Sequence, residues 1–168
     1  MKRILLACLL SLPAFSVSQT VDRALLGDLE RSCNKRIETL YDDPYMLLGL
    51  TRGVYLEGYG VVLTAEVNLA ITPGATPFRM ALTDEEKAAL RKKKMDRLPG
   101  LKQAMREVLV SSAKSLTPMP GGEQVVVAIT LLNRSFEATQ GLPSQIVMQG
   151  PKQALSAGVT TAIKVREY

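Results

Sequence analysis

The strongest strand pattern in the chain lies between residues 53 and 71. From residue 61 onward one face carries Val61, Leu63, Ala65, Val67, Leu69 and Ile71. The opposite face carries Val62, Thr64, Glu66, Asn68 and Ala70, and this alternation is typical of a half-buried strand. A shorter β-prone run, Val54 to Leu56, precedes Gly58-Tyr59-Gly60. Because the two glycines permit positive φ, we predict a hairpin or a bulge with Tyr59 at the tip, or a kinked continuous strand.

Helices are predicted from apolar spacings of three and four. A first helix of about five turns follows Thr20 as its cap and stops at Asp42-Asp43-Pro44. Tyr41, Asp42, Asp43 and Tyr45 are interpreted as turn and capping residues. Thr83 to Glu86 form a capping box that begins a highly charged helix, which Pro99-Gly100 is predicted to break. An amphipathic segment from Leu101 to Leu116 follows the break.

The C-terminal part alternates between strands and loops. Gln124 to Leu132 is apolar on both faces and predicts a central strand, and Asn133 to Pro143 predicts a polar loop. Residues 145–149 predict a strand, Pro151 to Leu155 a short helix and residues 160–165 an edge strand. This order favours an α+β fold, a two-layer sandwich of a mixed, mainly antiparallel sheet of about five strands packed by amphipathic helices. The segment around Leu101 is expected to cross between parallel neighbouring strands.

The N-terminus predicts export. Lys2 and Arg3 precede an apolar run that ends at Phe15, and Ser16-Val17-Ser18 is a small-x-small cleavage pattern. We therefore interpret residues 1–18 as a signal peptide and residues 19–168 as a single α+β domain, exported to the periplasm or secreted. Lipoprotein processing at Cys8 is the alternative. No other apolar run approaches the length of a transmembrane span.

Charge and cysteine content narrow the possible partners. Removal of the signal peptide takes away Lys2 and Arg3 and no acidic residue, so the formal charge falls from +5 to +3. This mild charge gives no support for nucleic-acid binding, and tryptophan is absent. Cleavage also leaves Cys33 alone, either as a small buried side chain on a helix or as a reactive or intermolecular thiol.

Most familiar catalytic chemistry is missing from the sequence. The chain contains no histidine, which removes Ser-His-Asp and Cys-His arrangements and the usual zinc ligands. It also lacks nucleotide-binding glycine motifs and a G-x-S-x-G elbow. We therefore predict no cofactor and no metal site.

The hairpin contains the remaining candidate binding residues. These are Tyr55, Glu57, Gly58, Tyr59, Gly60 and Glu66. Glu57 and Glu66 form the single carboxylate pair that could serve as acid and base in glycoside hydrolysis. The alternative interpretation is that Glu57 ends one strand and Glu66 lies on the polar face of the next.

A run of four basic residues is the second candidate binding region. Arg91, Lys92, Lys93 and Lys94 fall within a predicted helix and therefore spread over all of its faces. Contact with an anionic lipid or an envelope polymer is one interpretation, and a solvated, mobile segment is the other.

Two short motifs resemble those of uncharacterised exported bacterial proteins. Tyr55-Leu-Glu-Gly-Tyr-Gly-Val-Val-Leu63 is similar to their Tyr-x-x-Gly-Tyr-Gly strand pair, and Gly121-Gly-Glu-Gln-Val-Val126 is similar to their turn into a Val-rich strand. The resemblance implies an exported or envelope location and implies no activity.

Three functional hypotheses follow from these patterns. The first is a non-catalytic envelope module that binds or scaffolds an envelope protein or polymer through the hairpin tip and the charged helix. The second is a histidine-independent hydrolase of envelope polymers that uses Glu57, Glu66 and the tyrosines. The third is a structural subunit that oligomerises through an edge strand or through Cys33.

Overall fold

The structure is a computed structural model that describes residues 21–71 and 82–168. Its helices are α1 (Arg23–Glu38), α2 (Asp84–Ser115) and α3 (Lys152–Ser156), with a 3-10 turn at Thr160–Ala162. Its strands are β1 (Met46–Leu47), β2 (Arg52–Leu56), β3 (Gly60–Asn68), β4 (Gln124–Leu131), β5 (Gln145–Pro151) and β6 (Lys164–Glu167). The predicted signal peptide, Cys8 and Thr20 lie outside the described residues, as do residues 72–81.

The strands form one mixed sheet. Its order is β1-β3-β4-β5-β6, and β2 pairs with β3 on the same side as β1. The β3–β4 pair is parallel and α2 lies between these strands in the chain, as expected for a crossover. The other pairs are antiparallel. The predicted α+β class is confirmed. The two-residue strand β1, which was not predicted, raises the strand number to six.

All three helices pack on the same side of this sheet, which we call the inner face. The inner-face side chains alternate along β3, β4 and β5 and form one core with the helices. From the sheet this core includes Val61, Leu63, Val67, Val125, Val127, Ile129, Ile146 and Met148, and from the helices Leu29, Cys33, Ile37, Leu101, Met105, Leu109 and Leu155. The described helices leave the opposite face of the sheet uncovered.

Helix α1 confirms the predicted amphipathic pattern but carries one unexpected buried charge. Asp22 caps the helix by accepting a hydrogen bond from the Leu25 N–H. Glu30 is only 8% exposed, whereas glutamate side chains are rarely buried. Its carboxylate accepts hydrogen bonds from the Gly53 N–H at 2.8 Å and from the Arg23 guanidinium at 2.7 Å. This contact ties α1 to β2.

The predicted helix break at Pro99-Gly100 is wrong, because α2 runs continuously from Asp84 to Ser115. A proline inside a helix costs about 3 kcal/mol. Burial of Leu98 and Leu101 on either side of it offsets this cost. The missing Cβ of Gly100 admits the ring of Tyr41, whose hydroxyl donates a hydrogen bond to the Arg97 carbonyl. Tertiary packing therefore overrides the local helix-breaking signal.

The last predicted strand is only partly correct. Residues 160–162 form a 3-10 turn instead of a strand, and β6 begins at Lys164. The predicted short helix is confirmed as α3, but Pro151, predicted as its first residue, is its N-cap and also ends β5. In the described part of the chain, no helix combines the length and the apolar character needed to cross a membrane.

Candidate functional site: the outer sheet face and the hairpin tip

The predicted hairpin between β2 and β3 is confirmed, and its tip consists of Glu57, Gly58 and Tyr59. Gly58 and Gly60 have positive φ values of 78° and 134°. A Cβ atom on Gly60 would lie 1.9 Å from the carbonyl oxygen of Gln124. Only glycine therefore allows β4 to start directly beside this turn. Tyr59 is 42% exposed, so its ring is displayed at the tip.

Tyr55, by contrast, is half-buried and supports the tip from the inner side. Its hydroxyl donates a hydrogen bond to Glu123 Oε1 at 3.3 Å. The same oxygen accepts from the Gly58 N–H at 3.2 Å. Burial raises the pKa of Tyr55, and the neighbouring Glu123 carboxylate raises this pKa further. The contact holds the turn in one conformation.

Glu123 is the functional-region residue that the sequence analysis missed. The sequence motif places Glu123 in the turn before β4, and its side chain joins that turn to the hairpin tip. Its second oxygen, Oε2, is buried and has no hydrogen-bond partner in the described structure. Glu123 and Gly58 are 65 positions apart in the chain. No local spacing rule predicts a contact over that separation.

Glu57 and Glu66 do not lie near each other. Glu57 is in the turn, whereas Glu66 is close to the far end of β3. Strand geometry of about 3.3 Å per residue separates Gly60 from Glu66 by roughly 20 Å. Glycosidases need their two carboxyl groups about 5–10 Å apart. The prediction that Glu57 and Glu66 form one acid–base pair is therefore wrong.

The basic run is not one exposed patch, because Lys94 is 1% exposed. Its ammonium donates hydrogen bonds to the Leu132 carbonyl at 2.9 Å and to Asn133 Oδ1 at 3.2 Å. It also forms an ion pair with the Glu137 carboxylate, and both side chains are 2% exposed. Lys94 thus anchors the loop after β4 to α2.

The other three basic residues have separate environments. Arg91 donates a hydrogen bond from Nε to the Gln140 carbonyl at 2.6 Å and so adds a second tie to the same loop. Lys92 and Lys93 stay on the surface, and each pairs with an aspartate. The prediction that the run spreads over all helix faces is confirmed, but the interpretation as a solvated segment fails for Lys94.

The turn after α1 is a compact charged and aromatic cluster. The Arg97 guanidinium lies 4.8 Å from the centre of the Tyr41 ring and 3.2 Å from the Asp43 carboxylate. Tyr41 and Tyr45 pack edge to face with centroids 5.2 Å apart. Burial raises the pKa of Tyr41. These contacts fix the turn against α2, which agrees with the structural interpretation of this cluster.

Cys33 is the free cysteine among the described residues, and it is 1% exposed. Its burial raises the pKa of the thiol. Both properties favour the interpretation as a small core side chain. Within the two described ranges, no group of three or more histidine, cysteine, aspartate or glutamate side chains is arranged to hold a metal ion.

The outer face of the sheet has no described helix packed against it. It consists of the positions that alternate with the inner face, as the strand registers fix them. Val126 belongs to this face and, although 5% exposed, is not part of the core cluster. The apolar members of the outer face are Val54, Leu56, Val62, Val126, Ala128 and Val147. This face explains why β4 is apolar on both sides.

The edges of the outer face are basic. Arg52 lies on β2 at one side, and Lys164 and Arg166 lie on β6 at the other. All three side chains are exposed, and none of these side chains forms a hydrogen bond or an ion pair within the described residues, although the charge of Arg52 helps to lower the pKa of Glu30. Glu66 is the acidic residue at this face, near one end of β3.

No protein-family model, curated protein or solved structure matches this chain. The resemblance to exported bacterial proteins therefore stays a prediction. Functional inference consequently depends on the geometry of the hairpin tip and the outer face.

Proposed function

We propose that the chain is an exported bacterial envelope protein that acts as a non-catalytic binding module. Its outer sheet face and hairpin tip bind or scaffold another envelope component. The sequence motifs of residues 55–63 and 121–126 and the N-terminal pattern support the envelope location. The geometry of the sheet supports binding.

The observation that carries this proposal is the contiguous apolar surface on the outer face. Val54 and Leu56 are each 47% exposed and lie beside the recessed Val62 and Val126. Single exposed apolar residues are common, whereas a contiguous apolar patch marks an interaction surface. Tyr59 lies at the end of this patch, where an amphipathic ring suits an interface.

A pull-down from native envelope extracts tests the proposal. The double variant Val54→Ser/Leu56→Ser should lose the partner, because it removes apolar contact area without touching the core. Val159→Ser is the matched control, since Val159 is 45% exposed and lies outside the outer face. Tyr59→Ala should weaken binding and retain the helical circular dichroism of the native protein.

Three outcomes would contradict the proposal. Retention of the partner by Val54→Ser/Leu56→Ser would place binding elsewhere on the molecule. Equal loss in Val159→Ser would indicate non-specific adhesion. Unfolding of Tyr59→Ala would show that Tyr59 is a core residue instead of a binding residue.

A further inference from the structure

We propose that the outer face binds a single amphipathic helix of another protein, and this inference rests on the proposed binding function. The helix would carry an apolar stripe flanked by carboxylates. The argument depends on the width of the face, on the recessed apolar floor and on the charges at its edges.

The width of the face fits one helix. Arg52 and Arg166 lie in one register row that runs through Thr64, Ala128 and Val147. Four strand spacings of about 4.8 Å separate the two arginine backbones by roughly 19 Å. An α-helix with its side chains is about 10–12 Å wide. One helix therefore fits between the two basic edges.

The floor between these edges is apolar and recessed. Val126 is 5% exposed, and Val62, Ala128 and Val147 are half-buried. Side chains projecting from a helix can reach such a floor, whereas a flat lipid surface would meet the edges first. The apolar part of the floor spans Val126 to Ala128 along β4, about 7 Å, which matches between one and two turns of an α-helix, and the polar Gln124 and Thr130 lie at its two ends.

The charges select an acidic partner. Arg52, Lys164 and Arg166, whose exposed side chains form no ion pair within the described residues, and one carboxylate, Glu66, surround the floor. A second copy of the same chain would bring like charges together, so self-association through this face is disfavoured. The face carries no aromatic side chain in β3, β4 or β5, and single-stranded nucleic acid therefore has no stacking surface there.

Three synthetic 16-residue helical peptides test this inference. They share one leucine stripe and differ only in flanking residues, which are glutamate, glutamine or lysine. Fluorescence anisotropy measures their binding to the folded protein at low and moderate salt. We expect the glutamate peptide to bind about tenfold more tightly than the glutamine peptide, and the lysine peptide to bind most weakly. Added salt should reduce this preference.

Matched variants assign the preference to the basic edges. Arg52→Gln/Arg166→Gln should bring the glutamate peptide to the affinity of the glutamine peptide. Arg31→Gln/Lys35→Gln makes the same charge change on α1 and should leave the preference intact. Circular dichroism checks that each variant is folded.

The possible failures are distinguishable. Equal binding of the three peptides, lost in Val54→Ser/Leu56→Ser, would overturn the charge inference and leave the binding function in place. Absence of binding by every peptide would overturn the helix inference, while the envelope pull-down tests the binding function separately. Tighter binding to phosphatidylglycerol vesicles than to the glutamate peptide, abolished by the same variants, would replace the helix with a membrane surface.

Discussion

Replacing Lys94 by methionine tests the buried ion pair that anchors the loop after β4. Methionine keeps much of the apolar side chain and removes the ammonium group. Both members of the Lys94–Glu137 pair are 2% exposed, and Lys94 makes two further hydrogen bonds to the loop. Because removal of one member of a buried pair costs about 3–5 kcal/mol, we expect a loss of that size in the free energy of unfolding.

Lys92→Met is the matched control from the same basic run. Lys92 pairs with Asp96 on the surface, where the two side chains are 78% and 60% exposed. Such a pair contributes about 0–1 kcal/mol. Urea unfolding followed by circular dichroism compares the two variants. With a slope of about 2 kcal/mol per molar urea, Lys94→Met should lower the midpoint by about 1.5–2.5 M and Lys92→Met by less than about 0.5 M.

A double variant separates the ion pair from the loss of packing. Lys94→Met/Glu137→Leu replaces both charges by apolar groups and should lose less stability than Lys94→Met alone. Equal midpoints for Lys94→Met and Lys92→Met would refute the reasoning. The reasoning would also be refuted if the stability lost by the double variant equalled the sum of the losses measured for Lys94→Met and for Glu137→Leu separately.

Three further predictions concern other buried or constrained positions. Gly60→Ala should lose about 2–5 kcal/mol of stability, because its Cβ would meet the Gln124 backbone. Gly58→Ala is the control and should lose only about 1–2 kcal/mol, because its Cβ would meet no atom and only its positive φ is unfavourable. Similar urea midpoints for the two variants would contradict this prediction. Burial alone would raise the pKa of Glu30, but the hydrogen bonds from the Gly53 N–H and Arg23 lower this pKa below 4.5 overall. The ionised Glu30 carboxylate therefore stabilises the fold above its unfolded pKa, and this stabilisation is lost as the pH falls through its folded pKa. Glu30→Gln should thus lower the free energy of unfolding at about pH 7 and lower it much less at about pH 3. A loss of stability that does not depend on pH would contradict this prediction. The buried Cys33 thiol should react with Ellman's reagent only after unfolding in urea, and rapid reaction of the native protein would contradict its core position.

Local patterns predicted most of the fold. The alternation from Val61 to Leu69 gave the correct buried face of β3, and the Thr83–Glu86 capping box gave the correct start of α2. The double-sided apolar run in β4 correctly predicted a central strand. Each of these patterns involves residues only a few positions apart, so it can be read from the sequence alone.

The wrong predictions concern features that depend on contacts between residues far apart in the chain. Pro99 stays within α2 since Tyr41 and the buried leucines on both sides support the helix. Lys94 is buried because Glu137, 43 positions away, supplies a carboxylate. A basic run has the same sequence pattern whether one of its members is buried or all are solvated.

The candidate site was predicted only in part. The sequence located the hairpin and the exposed Tyr59, but it also paired Glu57 with Glu66, which the strand separates. It did not predict Glu123 at the tip. It could not predict the outer face, because that surface exists only once the register of five strands brings separate valines together.

The most direct test of the binding function is site-specific photo-crosslinking in cells. A photoreactive phenylalanine analogue replaces Val54 on the outer face or Val159 outside it, since the two valines are almost equally exposed. We predict a discrete crosslinked envelope protein for position 54 and none for position 159. The same crosslinks from both positions, or no crosslink from position 54, would contradict the assignment of the outer face as the binding surface.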